Sequence, residues 1–132
     1  MSRRANNWKN AEKYGRDLYL KYKIPATRET RADDYSVSDF EIKVDNHPEI
    51  VTDSKYSEAR PYRHHALILE AEDKYCKDKG DIAVILTKNF SKSGGCITVR
   101  DQAFAMLLSY WLGYGTKEEL LEIYKSRRSC DL

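Results

Sequence analysis

The chain has 132 residues, 41% hydrophobic and 33% charged, which is one ordinary domain with enough core to need neither structural metal nor disulfides. Its longest apolar run, Ala103 to Leu108, falls far short of the roughly eighteen residues of a membrane span, and no apolar signal region follows the basic start Met1-Ser2-Arg3-Arg4, so a cytoplasmic protein is expected, or one in the host cytoplasm if the chain is viral. The net charge of +2 conceals an asymmetry: residues 1–31 hold nine Lys or Arg against three Asp or Glu, a net of +6 that leaves −4 for the rest. That suits either a basic face for a polyanion with acidic groups kept for metal, or a solvated helix face.

Asn6 or Asn7 can cap a first helix over 8–22, where Trp8, Ala11, Gly15, Leu18, Tyr19 and Tyr22 recur at helical spacing. Glu12 falls inside this stripe. A carboxylate facing a core requires a metal or a cation, unless it sits at the boundary and reaches solvent. Lys9, Lys13 and Arg16 flank it and face either phosphates or water. Pro25 ends the helix, 26–31 reads as an edge strand, and the acidic stretch 32–38 is a loop that delivers the chain to Asp39.

Residues 40–44 and 50–56 form an antiparallel hairpin about the turn Asp45-Asn46-His47-Pro48-Glu49. A register pairing Val44 with Ile50 sets Asp39 opposite Lys55 and Glu41 opposite Asp53. One face then carries Asp39, Glu41, Lys43, Val51, Asp53 and Lys55, because residues two apart project alike. Diagonal neighbours lie within about 8 Å, close enough for Asp39 and Asp53 to share one divalent cation.

After a basic, aromatic loop (57–63), a second helix is expected over 64–79, with His64, Leu67, Ile68, Ala71 and Tyr75 inward and Gly80 as its stop. Residues 82–87 are a near-continuous apolar strand, buried on both faces and laid beside the hairpin by a crossover. A turn over 89–95 leads to a short fifth strand over 96–100. Asp101 caps a third helix over 102–112, apolar nearly all round, which implies burial on more than one side, either wholly on the sheet or against a second copy. Thr116 to Glu119 has capping-box spacing for a last helix to about Arg128.

Other constellations are poorer. His47, His64 and His65 lack Cys or His partners at ligand spacing; Ser93-Gly94-Gly95 is only a flexible turn; no phosphate loop or nucleophile elbow exists. Cys76, Cys96 and Cys130 are odd in number and unpaired in spacing, so they read as reduced thiols. An isolated Asp-x-Lys triplet is, by itself, usually a surface ion pair.

The joint order is more specific: Arg3-Arg4, Asn7 and Glu12 in a first helix, Ser38-Asp39 at a strand start, Thr52-Asp53-Ser54-Lys55 on the next strand, then helix and buried strand. In this the chain resembles the PD-(D/E)xK nuclease superfamily, and within it the Holliday junction resolvases of archaeal type. The resemblance spans about residues 3–100 of what reads as a single 1–132 domain; the helices over 101–128 lie outside it. Ser38 stands where the superfamily name has Pro, and Asp53 where resolvases more often have Glu.

The resemblance implies an α/β fold, a restriction-endonuclease-like core with a mixed, mainly five-stranded sheet flanked by helices. It also implies magnesium-dependent DNA hydrolysis, with manganese able to substitute, leaving a 5′-phosphate and a 3′-hydroxyl. Asp39, Asp53 and the Ser54 carbonyl are then the expected metal ligands, Lys55 the residue that orients or deprotonates the attacking water, and Glu12 a second-metal or orienting carboxylate. The expected partners are four-way DNA junctions and a second copy in a two-fold dimer. Arg3, Arg4, Lys9, Lys13, Arg16, Arg28, Arg31, Arg60 and Arg63 would neutralise phosphates, while Tyr56 and Tyr62 would stack at a branch point or simply pack. Another nuclease of the same superfamily, for repair, restriction or end processing, and a catalytically silent DNA-binding module of the same fold are the competing expectations.

Overall fold

A computed structural model describes residues 3–27, 39–56, 64–88 and 94–127, the side chains of 3–9 and Tyr56 excepted. The elements run α1 (Arg3–Lys21), β1 (Ala26–Thr27), β2 (Phe40–Ile42), β3 (Ile50–Tyr56), α2 (His64–Tyr75), β4 (Ile82–Lys88), β5 (Gly95–Thr98), α3 (Asp101–Leu112) and α4 (Lys117–Lys125). They make an α/β fold around a mixed five-stranded sheet in the order β1-β2-β3-β4-β5. Only β3 and β4 run parallel; the other neighbours are antiparallel.

The strand β4 is buried at every residue, as its unbroken apolar run dictates. Alternation along it supplies both layers. Ala83 and Ile85 join Val51 under Ile68 and Ala71 of α2, while Ile82 and Val84 meet Ala103 and Met106 of α3 and Tyr124 of α4 on the other face. On that second face α1 covers β2 and β3 through Tyr19, Phe40 and Ile42. Each such Ile, Val or Phe contributes about 1.5–3 kcal/mol by leaving water. The approach of α1 is close because Gly15 has no side chain: a Cβ there would stand 2.6 Å from Leu86 Cδ2 and 2.9 Å from Phe40 Cε2.

Local expectations needed correction at several ends. The helix α1 starts at Arg3, so Asn6 and Asn7 are interior residues and not its cap. Tyr22, expected inward, is exposed. The helix closes instead by a left-handed Lys23, φ 62°, with Ile24 N–H donating to Tyr19 O at 2.9 Å, a Schellman closure made without glycine.

The hairpin register differs by two residues. Ile42, not Val44, pairs with Ile50, because Val44 O accepts from His47 N at 3.1 Å and Asn46 takes φ 64°, a tight turn that draws Val44 out of the ladder. A shift of two preserves every face, so the predicted set of side chains still shares one side.

The helix α2 stops at Tyr75 and not near Lys79. The Asp81 carboxylate accepts from the N–H groups of Lys77 and Asp78, both at 3.1 Å, and local side-chain acceptors of this kind outcompete the helical ladder. His64 is exposed and meets Thr98 Oγ1 at 3.0 Å. Arg100, not Asp101, is the N-cap of α3, and within the chain only Ala103 and Met106 of that helix are buried, so the alternative of burial wholly on the sheet does not hold. Thr116 does cap α4, accepting from Glu119 N at 3.3 Å. Among the described residues no helix is long and apolar enough to cross a membrane.

Candidate functional site

The strand β3 carries Asp53, Ser54 and Lys55. Val51 faces α2, so by alternation Asp53 and Lys55 project to that same face. Lys55 Nζ lies 3.0 Å from Asp53 Oδ2. Continuing the β2–β3 ladder by one residue beyond Phe40 and Thr52 sets Asp39 across from Asp53, not from Lys55 as the longer register had it. Ser54 N–H donates to Asp39 Oδ2 at 2.8 Å, which fixes the carboxyl just before the ladder begins.

The electrostatics follow from that opposition. Burial pushes Asp39 up to about 8 from the ordinary 3.8, reinforced by a hydrogen bond shared with the Asp53 carboxyl. The Ser54 N–H works against this, while the charges of Asp53 and Glu12 add to it. Asp39 therefore holds a proton at neutral pH. Burial alone would draw the Lys55 ammonium down, yet Asp53, then Asp39 and Glu70, outweigh it and leave its pKa raised. Lys55 is accordingly a charged donor, not a base, in this state.

Glu12 is buried, at 4% exposure, and belongs to the helix on the opposite face of the sheet from Asp53. It acts on Asp39 through its charge, because Asp39 precedes the paired ladder that separates the two layers. Lys13 and Arg16 lie exposed on α1. The side chains of Arg3, Arg4, Lys9 and Tyr56, and residues Arg28, Arg31, Arg60, Tyr62 and Arg63, lie outside the described residues.

Glu41 stands apart. It pairs with Val51 in the ladder, and its Oε2 meets Lys43 Nζ at 2.8 Å, with Glu49 on the same ammonium at 3.5 Å. Tyr75 and Glu70 of α2 were not foreseen as site residues. Tyr75 packs on the Val51 and Ile85 cluster, and its phenol is pushed up to about 12 by burial and then by Asp53, Asp39 and Glu70. Helical spacing marked Tyr75 as inward; only the strand register says which carboxylates it meets.

Two opposed carboxyls, one protonated because its neighbour and burial disfavour a second charge, form a hard-oxygen donor pair suited to magnesium. Asp39 and Asp53 could hold a divalent cation, with the Ser54 carbonyl next to them in sequence. Among the described residues, no group of three or more His, Cys, Asp or Glu side chains is drawn together closely enough to hold a metal ion, so Glu12 stands outside the immediate donor pair. No family model, curated protein or solved structure matches the chain.

Proposed function

We propose that the protein is a magnesium-dependent DNA endonuclease with a restriction-endonuclease-like core, and that its substrate is the four-way junction. The observation that carries the reading is Asp39 held against Asp53 with the Lys55 ammonium 3.0 Å from the latter, on one face of adjoining strands. The resemblance in Arg3-Arg4, Glu12, Ser38-Asp39 and Asp53-Ser54-Lys55 supports the choice of branched DNA.

In this reading Asp39 and Asp53 would hold the metal together with the Ser54 carbonyl. Magnesium, when bound, supplies an electrophile for a phosphate oxygen and acidifies the attacking water. Holding a divalent cation would require Asp39 to be without its proton. Lys55, kept charged by its carboxylate neighbours, donates to the attacking water or a non-bridging oxygen and offsets the charge that grows on phosphorus. Glu12 orients from the α1 side without joining the donor pair. The water oxygen would bond to phosphorus as the P–O3′ bond breaks, the attacking water's proton passing to solvent and a solvent water protonating the leaving 3′ oxygen. Lys13 and Arg16, exposed on α1, contact flanking phosphates.

The test is cleavage of a synthetic four-way junction, beside a duplex of the same sequence, in magnesium and in chelator. Asp39→Ala and Lys55→Ala should each lower the cleavage rate by at least about 100-fold while leaving junction binding in place. Undiminished cleavage by either variant would remove these residues from the reaction. Equal affinity for junction and duplex would replace junction resolution by another nuclease task.

A further inference from the structure

The second half of α2, the turn that follows it and the last residues of α4 enclose a cleft of about 760 Å³, within the size range of small-ligand sites. None of Asp39, Asp53 and Lys55 lines it. Five cationic side chains do, against three carboxylates, a net of +2, although residues 32–132 carry −4 in all. Positive charge gathers here against the trend of the surrounding sequence, and a concave wall focuses its field.

Within the cleft two guanidinium groups share one carboxylate. Glu72 lies 3.4 Å from Arg100 Nε and 3.6 Å from Arg127 Nη2, and all three side chains are 15% exposed or less. The triad leaves one positive charge uncompensated in a poorly solvated place, which is costly unless an anion answers it. Both contacts exceed the ~2.7–2.9 Å of a close charge-assisted bond, and Glu72 Oε2 accepts no hydrogen bond among the described residues. The two arginines differ in what they have left to donate. Arg127 is committed to the fold: Nη1 donates to Lys79 O at 2.9 Å and to Tyr124 O at 2.8 Å, and the guanidinium stacks 3.6 Å from the centre of the Tyr124 ring. Arg100 meets only Glu72, through Nε, among the described residues, so its two terminal amino groups remain for a ligand. Lys77 and Lys79 stand on the same wall and enter no ion pair among those residues, whereas Lys125 is held by Asp78 at 3.9 Å.

We infer that the cleft binds a phosphate monoester, Arg100 gripping the phosphoryl oxygens through its terminal amino groups and Lys77 and Lys79 supplying further charge. A planar guanidinium fork matches phosphate geometry. A monoester carries close to two negative charges above about pH 6, which suits one buried and two exposed cations better than the single charge of a backbone diester. Leu69 and the Cys76 thiol form a neutral part of the wall, with room for the organic half of the ester. Lys125 and Arg127 lie beyond the stretch that resembles the nucleases, and the inference stands apart from the nuclease reading.

Isothermal titration calorimetry of the full chain with AMP at pH 7.5, in chelator and at fixed ionic strength, reads the outcome. AMP should bind with a Kd of about 1 mM or tighter, while adenosine and the diester ApA bind at least about tenfold more weakly. Arg100→Gln and, separately, the Lys77→Gln, Lys79→Gln pair should each weaken AMP binding by about tenfold or more while keeping the helical circular dichroism; if Arg100→Gln loses its fold, the exposed lysine pair decides. Lys55→Ala should bind AMP as the wild type does. A 5′-phosphorylated oligonucleotide that displaces AMP makes the source of the ester a DNA end, and one that does not makes it a free small molecule; the monoester chemistry is the same in both. No binding by the wild type, undiminished binding by either folded variant, equal affinity for ApA, or loss of binding in Lys55→Ala overturns the inference. A chain that binds AMP and cuts no junction would sink the nuclease reading and leave the cleft intact.

Discussion

Asp39 is the residue on which the site's pH behaviour turns. In the unfolded chain its carboxyl ionises near 3.8, and in the fold it keeps its proton to about 8. Between those values the native state binds the extra proton, so stability falls as pH rises through that window and levels off above it. Asp39→Asn keeps an acceptor for the Ser54 N–H and removes the charge. Thermal melts should show it gaining about 5 °C or more over the wild type at pH 8 and almost nothing at pH 4. A gap independent of pH would mean that Asp39 ionises freely. On the other face of β3, Thr52 is buried and shares a 2.8 Å hydrogen bond with the Tyr19 hydroxyl. Thr52→Val keeps the shape and leaves that hydroxyl without this partner, a loss of about 1–3 kcal/mol to be read from urea midpoints.

At the scale of elements, the site depends on how closely α1 crosses the sheet. Leu86 and Phe40 leave no room for a side chain at position 15, so Gly15→Val should cost about 1–3 kcal/mol and push Glu12 away from Asp39. Denaturation midpoints and single-turnover rates would fall together; an unaffected midpoint would contradict the close crossing. Much of this was legible in the sequence. The inward position of Glu12, the shared face of Asp53 and Lys55, and the buried fourth strand all follow from periods of 3.6 and 2 that burial enforces.

What could not be read was decided by local hydrogen bonding that periodicity does not encode. The bond from His47 N–H to Val44 O set the register. The Asp81 carboxylate ended α2 early. The opposition of Asp39 and Asp53 then followed from a two-residue shift that no hydrophobic pattern could distinguish, because such a shift exchanges no faces. The apolar sequence of α3 was equally legible, but its meaning was not. Composition cannot tell a helix buried on two sides from one left with an apolar face outside.

For the whole molecule, the proposed metal binding would be linked to folding through the same carboxyl pair. Saturating magnesium should raise the melting temperature by several degrees at pH 8, since a ligand at 100 times its Kd adds about 2.7 kcal/mol. The gain should shrink at pH 6, where loading must first expel the Asp39 proton, and vanish in the Asp39→Asn, Asp53→Asn double variant. Scanning fluorimetry at both pH values checks it, and a gain that survives in the double variant would place magnesium elsewhere.

The parallel pairing of β3 with β4 carries a consequence for synthesis. Every residue proposed for the chemistry lies before position 56, yet β3 gains its second neighbour only through Ile82–Lys88. A ribosome adding about 5–20 residues per second would release Asp39, Asp53 and Lys55 seconds ahead of the strand that buries their scaffold. The nascent chain would thus carry all of these groups while β3 is still an open edge, and the proposed site would gain its scaffold only when the buried strand β4 arrives.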